Sequence, residues 1–218
     1  MLSKHAAGSL AAVAAIPIAP GKSPFRTKGL TYRAVIDQIE RTVPAGLEAL
    51  CETLEPALRE FAAQPFLASS WYDLLPVVPI SEAGARAAGQ LLTPWLTEAA
   101  QKTAVEQSGG VYRFLLGLVS AETIALYVPR LTSRYFDFGS IETRRDSEHV
   151  VRLLRRGTPS YCVPWYRITG PEYVRAAMEH ARGDRGPVTI TSRVVGTHIC
   201  PVTKLELSDI EFICELAP

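Results

Sequence analysis

The chain has 218 residues, with 23 Lys+Arg against 22 Asp+Glu and 47% apolar side chains. A net charge of +1 leaves no electrostatic footprint for nucleic acid or for an acidic membrane surface. The apolar content suffices for one good-sized core, so the composition fits a neutral soluble protein acting on small molecules or other proteins.

The first 24 residues hold one early Lys4 and a short apolar run, Leu10 to Ala19. The run is too short to span a bilayer. It reads as a disordered or loosely docked tail ahead of a single domain over 25–218, in a cytoplasmic protein. A secretory signal, and with it a secreted or periplasmic protein, is the alternative. "PGKS" at 20–23 resembles a phosphate loop but has Ile16 where the first glycine belongs.

The first half then reads as helices. Thr31 is placed to cap a segment with Val35, Ile36 and Ile39 on one face, broken by Pro44. Leu47, Leu50, Cys51, Leu54, Leu58 and Phe61 recur at helical spacing, and Pro56 divides them. "QPFLASSWYDLLPVVP" is a proline-bounded connector. Ser81 opens a helix through "SEAGARAAGQLLTPWLTEAAQKT", whose Ala and Gly residues predict close packing on a neighbour. "GGVYRFLLGLV" and "AETIALYVPRLTSRYF" are two further helices, with Ser120 as a cap between them.

The second half changes to strands. "RYFDFGSIETRR" and "EHVVRLLRRG" are read as a hairpin. Pro171 starts a helix that reaches His180 and stops at Gly183. "PVTITSRVVG" and "TKLELSDIEFICEL" complete the set. In the last strand Leu205 and Leu207 are out of phase with Ile210, Phe212, Cys214 and Leu216, which predicts a bulge near Ser208–Asp209. The order is helices, then strand–strand–helix–strand–strand. This is an α+β fold, with an N-terminal helical layer packed on a small antiparallel sheet.

Several stretches carry a resemblance. "ASSWYDLLPVVPI", "GGVYRFLLGLVS", "RYFDFGSIETRR" and "GPEYVRAAMEHARG" resemble uncharacterised proteins of a large paralogous family found in myxobacteria. The element order is similar to a ligand-binding superfamily of haem nitric-oxide sensor domains, vinyl-reductase-like (4VR) domains and trafficking-complex subunits. The resemblance implies a pocket between helices and sheet for an apolar or planar ligand, without chemistry. The haem sensors carry Tyr-x-Ser-x-Arg for the haem propionates. "YVPRLTSRYF" has those residue types at a different spacing, so haem is not carried over.

Candidate chemistry is sparse. The four cysteines, Cys51, Cys162, Cys200 and Cys214, form no CxxC, which argues against a structural zinc site and for free thiols. A Cys200–Cys214 bridge is the weaker alternative. Cys162, between Pro159 and Pro164, would need a base or a helix N-terminus to be nucleophilic. With a helix starting near Pro171 it has neither, since His180 would lie about 15 Å along that helix. His5, His149, His180 and His198 are isolated in sequence, so no metal or cofactor is expected, with haem as the alternative. Arg144, Arg145, Arg152, Arg155 and Arg156 read as a solvated hairpin face. Trp71, Tyr72, Tyr135, Trp165 and Tyr166 are candidate walls of an apolar pocket, with Arg134 and Arg167 as partners for a ligand carboxylate. The sequence points to a non-enzymatic ligand-binding or protein-interaction module in sensing or regulation, with a homodimer or another protein as partner. An enzyme using Cys162 or a bound cofactor is the alternative.

Overall fold

The structure, a computed structural model, describes residues 15–107, 121–182 and 186–217. The helix expected over "GGVYRFLLGLV", the Ser120 cap and the Gly183 stop lie outside these residues.

The helical layer begins at a short strand, β1 (Arg26–Lys28), and helix α1 (Gly29–Thr42). Tyr32, Val35 and Ile39 form its buried face, as their spacing dictates. The helix starts two residues before Thr31. Thr31 is therefore not the cap; its hydroxyl instead meets that of Thr27 at 2.7 Å. Gly29 allows this start, because a Cβ there would lie 2.2 Å from the Leu67 carbonyl oxygen. Pro44 forces Val43 into an extended conformation and ends the helix. Helices α2 (Gly46–Thr53) and α3 (Pro56–Ala63) are the two pieces divided by Pro56, which takes the first position of the second.

The connector that follows contains strand β2 (Trp71–Asp73), antiparallel to β1. Helix α4 (Val77–Ala87) starts four residues before Ser81, with Pro79 within its first turn, where the missing N–H costs nothing. The single helix expected from Ser81 to Thr103 is interrupted at Gly89, which has φ +66°. Helix α5 (Leu92–Gln107) follows. The predicted close packing is present: a Cβ on Gly84 would come within 3.0 Å of both Ile39 and Trp95. Helix α6 (Ala121–Tyr135) leads into the sheet. Among the described residues, no helix is long and apolar enough to cross a membrane.

The sheet is antiparallel in the order β3-β4-β6-β5, built from β3 (Ser140–Arg145), β4 (Val150–Pro159), β5 (Val188–Ile199) and β6 (Glu206–Leu216). The expected irregularity lies at Asp209 but in its neighbours. The register shifts between Arg155 and Thr158 on β4 and between Val194 and Gly196 on β5. The fold is thus α+β, as the pattern of elements predicts.

One difference matters for function. Helix α7 (Val163–Arg182), between β4 and β5, starts eight residues before Pro171, which lies inside it. Pro164 takes the early-turn role expected of Pro171. A single 3-10 turn, Ser160–Cys162, links β4 to this helix. Trp165, Tyr166 and Arg167 therefore sit in the opening turns of a helix, on a rigid element and not in a connector.

Candidate functional site

A cavity of about 610 Å³ lies between α1, α5, α6, α7 and the inner face of the sheet. Its origin is legible in side-chain size. Helix α5 presents Ala99, Ala100 and Ala104, all buried, where larger residues would fill the space. Opposite them stand Trp165, Tyr166 and Tyr173 of α7. Leu153 of β4 and Phe212 of β6 form the floor and pair with each other across the two strands. Val35 of α1 and Leu96 of α5 complete the depth.

The cavity is graded from depth to mouth. Leu96, Leu153, Trp165 and Phe212 are buried, whereas Lys28 and Arg134 at the edge are half-buried and exposed. Lys28 donates from Nζ to the Ser69 carbonyl at 2.7 Å and lies 3.7 Å above the Trp71 ring, a cation–π contact that fixes its position. Neither Asp nor Glu is among the described residues that line the cavity.

Four of the candidate residues converge on this space: Arg134, Tyr135, Trp165 and Tyr166. Three do not line it. Trp71 lies under Lys28 with 37% of its surface exposed. Tyr72 accepts from the Leu67 amide at 2.9 Å and stacks edge-on to Phe66 at 4.8 Å. Arg167 donates to the Ser192 hydroxyl and carbonyl at 3.0 and 2.7 Å, tying α7 to β5. Sequence reasoning missed Lys28, the α5 alanines and Tyr173. Closely spaced alanines on α5 were the available signal for the cavity; nothing local marked Lys28.

Beside the cavity lies an unusual cation. Arg155 is 1% exposed, and burial holds its guanidinium below the ordinary arginine range. One Nη donates to the Phe138 carbonyl at 2.9 Å, while Nε has no acceptor among the described residues. Its guanidinium carbon lies 5.4, 4.8 and 5.7 Å from the rings of Phe136, Phe138 and Tyr166. Arg155 therefore departs from the solvated hairpin face expected of the arginine cluster. Phe136 and Tyr166, which touch it, also line the cavity.

Cys162 sits directly before the α7 N-terminus, not several residues away as the sequence suggests. It is fully buried. Desolvation, with Asp73 adding to it, pushes the thiol well above its usual range, so it stays protonated. Cys200 is different: hydrogen bonds from Thr203 hold its thiol below the usual range, in the β5–β6 turn. Both Cys200 and Cys214 are free thiols.

Among the described residues, the nitrogen and sulfur donors usual for metal or haem lie outside the cavity. No group of three His, Cys, Asp or Glu is gathered for a metal among the described residues. Those lining the cavity include no His, Cys or Met. His149, in the β3–β4 turn, and His198, on β5, are exposed. Burial raises the phenols of Tyr166 and Tyr173, the latter to about 12, which disfavours the phenolate a metal would need.

No protein-family model matches the chain, and no curated protein matches it. Solved structures do. The Fe(II) unliganded H-NOX protein of K. algicida superposes with a TM-score of 0.60 at 11% identity, over 88% of this chain and 97% of that one. A point mutant of T. tengcongensis H-NOX gives 0.58 at 9% identity, over 88% and 98%. An oxygen-binding H-NOX domain related to soluble guanylate cyclases, in its oxygen complex, gives 0.55 at 8%, over 87% and 93%. The element order read from the sequence and these superpositions agree: the chain has the fold of the H-NOX domains.

Proposed function

We propose that the chain is a sensory or regulatory module that binds a small apolar ligand and does no chemistry on it. The observation that carries this reading is the cavity of about 610 Å³ between the helices and the sheet. Apolar side chains line its depth and a few polar groups its mouth, the build of a ligand site. Arg134, Tyr135, Trp165 and Tyr166 are its contact residues in this reading. The H-NOX neighbours, one of them oxygen-binding, support a ligand-sensing role through the shared fold.

Haem does not fit the described residues of the cavity wall. The described cavity wall offers no His, Cys or Met as an axial ligand, and its buried tyrosines are held protonated. Nor is a reactive cysteine favoured, because Cys162 is buried and its thiol is raised.

The test fills the space. Ala100→Phe places a ring inside the cavity. In native mass spectrometry of protein purified from its own host, the wild type is expected to retain a small ligand, and the variant to fold and lose it. A wild type that carries nothing and binds no apolar probe contradicts the reading. A Soret band in the purified protein would restore haem.

A further inference from the structure

We infer that the ligand is an anionic amphiphile, lodged with its apolar body against the sheet and its negative head at the mouth, on Lys28 and Arg134. The inference rests on the reading of the cavity as a ligand site.

Two observations meet at the mouth. The first is charge. Lys28 and Arg134 line the cavity, and the described wall contains no carboxylate. Asp137, close to this edge in sequence, faces Arg26: it accepts from the Arg26 amide at 2.8 Å and pairs with the Arg26 side chain. Lys28 makes no ion pair within 4 Å among the described residues and spends one of its three donors on Ser69.

The second is backbone register. Thr27 and Phe136 form an antiparallel bridge, and Asp137 donates its amide to the Arg26 carbonyl at 3.2 Å. This brings Lys28 alongside the Tyr135–Arg134 end of α6, although the two stretches are far apart in sequence. The fold therefore assembles two cations at one edge of an apolar space. The lysine is held in place by Ser69 and Trp71 before any ligand arrives, which lowers the entropic cost of binding. A neutral ligand would leave the Lys28 ammonium without a counter-charge among the described residues, and a cationic one would be repelled by it. A carboxylate or a phosphate head meets the same need, since both accept from ammonium and guanidinium groups.

The test uses cis-parinaric acid, a fluorescent long-chain carboxylate, and its methyl ester, titrated into the delipidated full chain. The acid is expected to bind the wild type more tightly than the ester, and more weakly as salt rises. Lys28→Gln with Arg134→Gln is expected to weaken the acid about tenfold and leave the ester unchanged. Displacement by oleate against oleyl phosphate identifies the preferred head. Equal binding of acid and ester, or a double variant that keeps its affinity for the acid, overturns the inference while leaving the cavity reading standing. Failure of both probes to bind overturns both.

Discussion

Strand β4 carries arginines to both faces of the sheet, and the two faces treat them differently. On the outer face Arg152 pairs with Asp146 and with Glu211 at 3.2 Å, and Arg156 pairs with Glu142 at 2.8 Å and Asp209 at 3.2 Å. On the inner face Arg155 meets a carbonyl and three aromatic rings, with no carboxylate among the described residues. Exposed pairs are worth little individually, because water already serves those charges well. A buried cation without a counter-charge is costly. The inner face therefore carries the sheet's stability in its apolar contacts and tolerates one expensive charge beside the cavity. The outer face is a solvated ladder whose charges satisfy each other.

The largest expected effect tests where the stability lies. Phe212→Ala on the inner face should cost about 3–4 kcal/mol in urea unfolding. A loss below about 1 kcal/mol would mean that the cavity already relieves this wall of its packing role.

Arg155→Met and Arg156→Met then set the two arginines against each other. Removing the buried guanidinium while keeping its bulk should stabilise the fold by about 1 kcal/mol. Arg156→Met should give a small loss that high salt removes. A large loss from Arg155→Met would show that the ring contacts outweigh desolvation.

The faintest contrast is in pH. Arg156 and Arg152 hold Glu142 and Asp146 below their ordinary values of 4.5 and 3.8. For acids lowered on folding, the contribution is present above those values and fades as pH falls below them. On the inner side of the sheet, burial raises Tyr166 of α7 above 10.0 and Cys214 of β6 from 9.0 to about 12. Their contribution is present at neutral pH and is lost as pH climbs past those ordinary values. Unfolding midpoints measured across pH should thus fall at both ends, with added salt flattening only the acid limb.

Much of the fold is legible in the sequence where periodicity is strong. The α1 face of Tyr32, Val35 and Ile39, the division at Pro56 and the strand–strand–helix–strand–strand order follow from spacing and proline chemistry. Pro171 and Pro79 read as boundaries in one dimension, yet both lie within helices: Pro79 sits in a first turn, where its missing N–H costs nothing, and at Pro171 tertiary packing outweighs the loss of one backbone hydrogen bond. An α7 that starts at Val163 turns Trp165 and Tyr166 from loop aromatics into helix residues and brings Cys162 to a helix end. For the site, Tyr135, Trp165 and Tyr166 are legible as aromatics that line the cavity, whereas Trp71 and Tyr72 lie off it and Tyr173 carries no local mark. The mouth cannot be read this way, because the stretches of Lys28 and Arg134 are joined by the Thr27–Phe136 bridge and the Asp137–Arg26 hydrogen bond, and one-dimensional patterns do not report such long-range pairings.

Whether the space beneath α5 is a ligand site is tested most directly by titrating the delipidated wild type and Ala100→Phe with cis-parinaric acid. Saturable binding to the wild type is expected, and its loss in a variant whose unfolding midpoint is little changed. Equal binding to both proteins, or to neither, would contradict a ligand site there.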